Sequence, residues 1–306
     1  MISVVAPIFN EEETLRDLCR RISAQLDATR EKWELILVND GSNARCAQLI
    51  AQIRSEDKRI KVLELSRNFG HQQALSAGIA SASGECVVMI DGDLQDPPEV
   101  IPALIAKWRE GYQVVFAERR SRKDRGPRSL GFRAFYPILR VLGDLPTAPQ
   151  AGVFGLMDRA VVDEFNKLDE RNRFIPGLRS WLGFKQVGVP YDREERAGGR
   201  PKQSFGHLVK YAMDGMISFS YKPLRVATYL GFLVSIVALS LGVFYLVTFY
   251  TMHKPVTGFT TTIVCVLFLG GVQLVCVGIL GEYIGRVYEE VKRRPLYVVR
   301  SRMGFD

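Results

Sequence analysis

Two stretches of this chain contain no Asp, Glu, Lys or Arg: Val226–Met252 and Pro255–Gly281. A helix needs roughly 20 apolar residues to cross about 30 Å of hydrocarbon, and each stretch is longer than that. A helix buried in a soluble core keeps a polar stripe toward water, and these runs show none. They predict a two-helix membrane hairpin over residues 226–283, turned around His253-Lys254-Pro255. The rest of the chain is thereby divided into a soluble domain over 1–203, a connecting segment over 204–225 and a tail over 284–306.

The flanking charges orient the hairpin. Lys222 and Arg225 precede the first run, and Arg286, Lys292, Arg293, Arg294, Arg300 and Arg302 follow the second, whereas the connector carries only Lys254. Basic residues collect on the cytoplasmic side. A multi-pass protein of the inner (plasma) membrane is expected, with both termini and the soluble domain cytoplasmic. The cysteines agree: Cys19, Cys46, Cys86, Cys265 and Cys276 form no C-x-x-C pair, which suits a reducing compartment. Met1 leads straight into an apolar strand without a basic n-region, so no cleavable signal peptide is expected. The net charge of +8 asks for an anionic partner. Beside a membrane hairpin, lipid headgroups and phosphorylated substrates account for it, and no nucleic-acid partner is expected.

In Ser204–Pro223 the residues Phe205, Leu208, Val209, Ala212, Met213, Met216, Ile217 and Phe219 recur at helical spacing, with Lys210 and Asp214 off that stripe. This predicts an amphipathic helix lying in the membrane interface or packed on the soluble domain. The soluble part itself alternates strand and helix. Strands are predicted at Ile2–Pro7, Trp33–Asn39, Ile60–Leu65, Glu85–Ile90 and Gln113–Ala117. Helices are predicted at Glu11–Leu26, Ala47–Ser55, Phe69–Ser81 and Pro98–Glu110. This order predicts an α/β fold with a mostly parallel, doubly wound sheet. Ligands of such sheets bind beyond the carboxyl ends of the strands.

Polar clusters stand at three of those ends: Pro7…Asn10-Glu11, Asn39-Asp40-Gly41 and Asp91-Gly92-Asp93, the last followed by Asp96. Carboxylates gathered this closely repel one another unless a cation lies between them. Mg²⁺ or Mn²⁺ typically takes one or two protein carboxylates together with substrate phosphates. Basic groups for an anionic substrate follow the fifth strand (Arg119, Arg120, Arg122, Lys123, Arg125, Arg128). Others stand in the glycine-flanked loop Gly198-Gly199-Arg200-Pro201-Lys202-Gln203-Ser204. They can clamp phosphate or sit on anionic lipid.

Several motifs together resemble glycosyltransferase family two: Pro7-Ile-Phe-Asn-Glu-Glu12, Val38-Asn-Asp-Gly-Ser42, Ser66-Arg-Asn-Phe-Gly-His71, Asp91-Gly-Asp-Leu-Gln-Asp-Pro-Pro-Glu99, Phe154-Gly-Leu-Met-Asp-Arg159 and Gly281-Glu-Tyr-Ile-Gly-Arg286. More narrowly they are similar to the polyprenyl-phosphate glycosyltransferases, of the bactoprenol glucosyltransferase type and the dolichol-phosphate mannose synthase type. The resemblance implies a GT-A domain with a Rossmann-like sheet, interfacial helices and a transmembrane hairpin. It also implies a nucleotide-sugar donor, a divalent metal and a polyprenyl phosphate acceptor. UDP-glucose is the expected donor; GDP-mannose, and a non-catalytic nucleotide-sugar-binding scaffold, are the alternatives. Pro7, Phe9, Asn10 and Glu11 would meet the nucleoside, as would Asp40. Asp91 would hold the donor, and Asp93 with Gln95 the metal. Arg200, Lys202 and Ser204 would face phosphate, and Asp158 is a catalytic candidate or a helix cap. Glycines of the second run (Gly270, Gly271, Gly278, Gly281) suit a homo-oligomer, by resemblance a tetramer. Two departures stand out. Asn43-Ala-Arg-Cys46 replaces an acidic continuation, and Gln150 stands before Ala-Gly where relatives often have Asp.

Overall fold

The computed structural model describes residues 1–119, 151–192, 221–252 and 258–305. These fall into two compact units. Residues 1–119, 151–192 and 294–305 form the first, and residues 221–252 and 258–293 the second.

The first unit is built on one 8-stranded sheet. Its strands are β1 (Ile2–Ile8), β2 (Trp33–Asn39), β3 (Ile60–Leu65), β4 (Cys86–Met89), β5 (Val114–Arg119), β6 (Ala151–Asp158), β7 (Gln186–Tyr191) and β8 (Val299–Met303). Their order across the sheet is β7-β5-β6-β4-β1-β2-β3-β8. β1 and β2 are buried along their whole length, as central strands covered on both faces must be. The strands β1 to β4 pair in parallel. β6 runs antiparallel to both β4 and β5, so those two share a direction, and β7 is parallel to β5. The carboxyl ends of β1, β2, β3, β4, β5 and β7 therefore lie on one edge of the sheet, as the mostly parallel expectation requires.

The helices of this unit are α1 (Leu15–Ala28), α2 (Ala44–Glu56), α3 (His71–Ser81), α4 (Ile101–Arg109), α5 (Arg159–Asn166) and α6 (Ile175–Trp181). Leu15, Leu18, Ile22 and Leu26 of α1, spaced three and four apart, enter a core with Val4, Ala6, Leu35 and Leu37. On the other face α3 lies so close to the sheet that a Cβ on Gly78 would overlap Val5 Cγ1 and stand 2.9 Å from Val38 Cγ2.

Three α-helices begin later than expected, each for a local reason. α1 begins at Leu15 rather than Glu11, because Thr14 Oγ1 donates to the Gly92 carbonyl (2.8 Å) and ties the preceding turn to the loop after β4. α3 begins at His71 rather than Phe69, because the Phe69 and Gly70 N–H groups donate to Asp40 and Gly70 takes φ +105°. The fourth helix opens with a 3₁₀ turn, Pro98–Val100, before α4. Pro102 has no N–H to begin the α-helical ladder there.

The stretch after residue 283, expected as a tail, is two things. The second membrane helix continues to Val291, and residues 299–303 form β8, antiparallel on the edge of β3. Arg300 and Arg302 gave β8 the look of a solvated tail, but charged residues are what an edge strand carries.

Near the amino ends of β1 and β2, Glu34 is 3% exposed. Burial pushes its carboxyl up, but Lys61 (2.6 Å), Ser3 and the Ser83 hydroxyl and N–H outweigh this and hold it below its ordinary value. A lowered carboxyl pKa stabilises the fold above the unfolded value, near 4.5, and that stability is lost as pH falls through the folded value. Glu34→Gln is expected to cost about 1–3 kcal/mol at neutral pH. Thermal unfolding against pH should show the gap between wild type and variant closing below pH 4.5.

In the second unit, α7 (Lys222–Met252) and α8 (Phe259–Val291) are each long and apolar enough to cross a membrane. The segments Leu224–Thr251 and Thr262–Val291 have mean hydropathy of 2.4 and 2.7. The interfacial helix expected over 204–223 falls almost wholly outside the described residues.

Candidate active site

The shared carboxyl edge gathers the loops that follow β1, β2, β3 and β4. The first two are laced together. Asn10, at φ +57°, accepts from Asn43 N–H through Oδ1 (2.9 Å) and donates its own N–H to Ser42 Oγ (3.2 Å). Asn43 Nδ2 donates to Glu12 (2.7 Å), while Asn43 Oδ1 caps α2 by accepting from Cys46 N–H. The substitution of Asn43 for an acidic residue thus preserves a helix cap. Phe9 stands 42% exposed just beyond β1, an aromatic face open at the mouth of the edge.

The loop after β4 presses against the end of β1. A Cβ on Gly92 would stand 3.0 Å from both the Pro7 carbonyl and Ile8 Cδ1, so a glycine suits this close approach of the loop to the end of β1. Leu94 is held at φ +59°, in the left-handed region that a leucine rarely adopts. Asp93 Oδ1 accepts the Gln95 N–H at 3.1 Å. Asp96 turns inward, 1% exposed, and accepts from the Tyr191 hydroxyl, to which Arg119 Nε donates at 3.1 Å. Arg119 Nη2 lies 3.9 Å from Asp96. Burial opposes the Arg119 charge, but Tyr191, Asp96 and Asp91 prevail and raise its pKa.

Pro7, Phe9, Asn10, Glu11, Asp91, Asp93 and Gln95 are therefore brought together at one edge. Two expected site residues are placed otherwise. Asp158 ends β6, which is antiparallel, and pairs with Cys86 at the amino end of β4. It sits at the far edge of the sheet, where Oδ1 caps α5 by accepting from Ala160 N–H (2.9 Å) and Oδ2 accepts from Trp108 Nε1 (2.7 Å). Those bonds make Asp158 a helix cap, one of its two expected readings, at the opposite end of the sheet from Asp91 and Asp93. Asp40 lies at the right edge but is 3% exposed. Its carboxylate accepts from Phe69 N–H (2.7 Å) and Gly70 N–H (3.0 Å) and so holds a turn. Burial pushes the Asp40 carboxyl up, against those two donors. Arg200, Lys202, Ser204, Gln150 and the basic residues 120–128 lie outside the described residues.

Two residues that bond to the aspartates of this edge were not singled out from the sequence. His71 Nε2 lies 2.7 Å from Asp91 Oδ1. Burial disfavours its charge, but the bond to Asp91 and the nearby Asp93 and Asp40 raise its pKa. Its signal was present in Ser66-Arg-Asn-Phe-Gly-His71, which was given no role. Tyr191 had no signal at all, since it meets Asp96 across 95 positions of chain.

Among the described residues no group of three or more His, Cys, Asp or Glu side chains closes around a metal position. The donor set at Asp93 and Gln95 suits a hard divalent ion that keeps waters and substrate phosphate oxygens, not an all-protein cage.

Comparison with known proteins agrees with this edge and with the hairpin. Residues 3–165 match the family description "Glycosyl transferase family 2", and residues 222–287 match "GtrB C-terminal hairpin". An uncharacterized glycosyltransferase of Synechocystis sp. is 43% identical over 306 residues, covering 100% of this chain and 96% of that protein. The prophage-derived bactoprenol glucosyl transferase of Shigella flexneri is 39% identical over 301 residues, covering 98% of this chain and 97% of that protein. The prophage bactoprenol glucosyl transferase homolog of Escherichia coli is 37% identical over 300 residues, covering 98% of each. With an acidic edge on a GT-A sheet and two apolar helices after it, the chain belongs to glycosyl transferase family 2 and carries the GtrB hairpin.

Proposed function

We propose that this glycosyltransferase moves glucose from UDP-glucose onto a polyprenyl phosphate at the cytoplasmic face of the inner membrane. The observation that carries the reading is the presence, in one chain, of the acidic edge around Asp91 and Asp93 and of a hairpin matched by the GtrB description. The names of the Shigella and Escherichia relatives support the lipid acceptor and the sugar.

The chemistry asks little of a base. A polyprenyl phosphate is already an anion, and its oxygen forms the new bond to the anomeric carbon. The bond from that carbon to the nucleoside diphosphate breaks, UDP departs, and the configuration inverts. What the site must supply is the approach of two anions and stabilisation of the departing diphosphate. Asp93 and Gln95 would hold Mg²⁺ or Mn²⁺, which when bound offsets diphosphate charge. Phe9, Asn10 and Glu11 would receive the nucleoside, and Asp91 the donor's sugar side. Arg119 places a fixed cation beside the carboxylates, and Arg200, Lys202 and Ser204 would add phosphate contacts. The Lys and Arg flanks of the hairpin support cytoplasmic placement of this edge. Gly270, Gly271, Gly278 and Gly281, each with open space at its Cβ position, support packing of α8 against a second copy.

The test is transfer of radiolabelled sugar into an organic-extractable lipid by purified full-length protein. Counts are expected with UDP-glucose, a polyprenyl phosphate and Mg²⁺ or Mn²⁺. Counts from GDP-mannose alone would replace the donor, and no counts from any nucleotide-sugar would overturn the proposal.

A further inference from the structure

We propose that His71 is a positioning residue for this reaction: it holds the Asp91 carboxylate in the orientation that receives the nucleotide-sugar. The inference rests on the reading of the acidic edge as the donor site. Its substance is the contrast between His71 and its neighbours in the chain.

The turn that delivers His71 is pinned on every side. Ser66 N–H donates to the Val298 carbonyl (2.9 Å), and Arg300 Nη2 donates to the Ser66 carbonyl (3.1 Å), so β8 and the segment before it hold the turn's start. Gly41 approaches the turn so closely that a Cβ there would stand 2.5 Å from Asn68 N. Asp40 takes the Phe69 and Gly70 N–H groups. Gln72 Oε1 accepts from Ile175 N–H at 2.9 Å, fastening the first turn of α3 to α6. Each contact fixes backbone or helix position.

The imidazole serves no such end. It is 44% exposed and directs Nε2 at Asp91 Oδ1, with Gln72 Nε2 at 3.5 Å from its Nδ1. The Asp91 side chain is 27% exposed, and ordering a carboxylate's rotamer freedom on binding costs affinity. A charge-assisted bond from a rigidly mounted imidazole removes that freedom beforehand. The buried clamp of Asp40, the glycine contact and the β8 contact then share one purpose, which is to hold the imidazole still. Asp40 thus acts on the donor through His71.

The experiment is steady-state transfer by the full chain in detergent, with UDP-glucose and polyprenyl phosphate varied separately. His71→Leu is expected to raise the donor KM by about 10- to 100-fold, the loss of one bond to a charged group, with the acceptor KM unchanged. In His71→Gln the amide Nε2 donates to Asp91 from nearly the same place, and donor KM should return to within about threefold of wild type. His71→Leu combined with Asp91→Asn should be no worse than the poorer single variant, because the two act as one unit. An unchanged donor KM in His71→Leu, a His71→Gln no better than His71→Leu, or additive single effects would each overturn the inference. Wild-type protein that transfers no sugar overturns the functional reading, and this inference with it.

Discussion

Asp93→Asn is expected to lower sugar transfer by at least roughly 10²–10³-fold, the scale lost when one element of charge stabilisation leaves a catalytic site. The argument is electrostatic. On the proposed reading Asp93 would hold the divalent ion, and that ion would offset the diphosphate charge beside Asp91. An amide oxygen donates no formal charge to that ion. The bond that Asp93 accepts from Gln95 N–H survives, because an asparagine oxygen can accept it, and the shape of the side chain is unchanged. Unfolding temperature should therefore stay within a few degrees of wild type while transfer collapses, and EDTA should reproduce the loss in the unaltered protein. Asp158→Asn supplies the contrast. At the far edge of the sheet it keeps an effective helix cap and should leave transfer intact. Near-normal turnover in Asp93→Asn, or collapse in Asp158→Asn, would show that the acidic edge has been misread.

Gly78→Val is expected to cost more than about 3 kcal/mol of stability. Overpacking a filled core costs about 1–3 kcal/mol, and a branched side chain at this position is worse than one added methyl. A Cβ alone would overlap Val5 Cγ1 and crowd Val38 Cγ2. Both partners are β-branched residues of fully buried central strands, with no free end to swing aside. The helix must instead lift from the sheet, and α3 is the helix that presents His71 to Asp91. The gain in helix propensity on replacing glycine, about 0.5 kcal/mol, is too small to compensate. Thermal or denaturant unfolding of the full chain measures the loss, and stability equal to wild type would contradict the close packing of α3.

Much of the fold was legible because its central strands are buried on both faces. Ile2–Ile8 and Trp33–Asn39 read as mostly apolar runs, interrupted only by Ser3 and Glu34, and each ends in polar residues at the edge where ligands gather. The membrane hairpin was legible for a simpler reason, since hydrocarbon tolerates almost no charge. What the sequence could not reveal was strand direction and side-chain aim. Asp158 stands at the end of an apolar strand just as Asp91 does, but β6 runs the other way, so the same local pattern marks opposite poles of the sheet. Asp40 sits at the proper pole, yet its carboxylate turns to the Phe69–Gly70 backbone, a contact set by a loop almost thirty positions later. β8 was hidden because an edge strand bearing Arg300 and Arg302 resembles a solvated tail. The motif that carries His71 was visible but its partner Asp91 was not, and Tyr191 was hidden because it meets Asp96 across 95 positions of chain.

The most direct measurement of the central claim is a crystal of the full chain grown with UDP-glucose and Mn²⁺, examined for anomalous scattering from the metal. A single manganese at Asp93, bridging to the diphosphate, with the uridine near Phe9 and His71 still bonded to Asp91, is the predicted result. Manganese bound elsewhere, or a nucleotide-sugar seated away from the carboxyl edge of the sheet, would contradict the account.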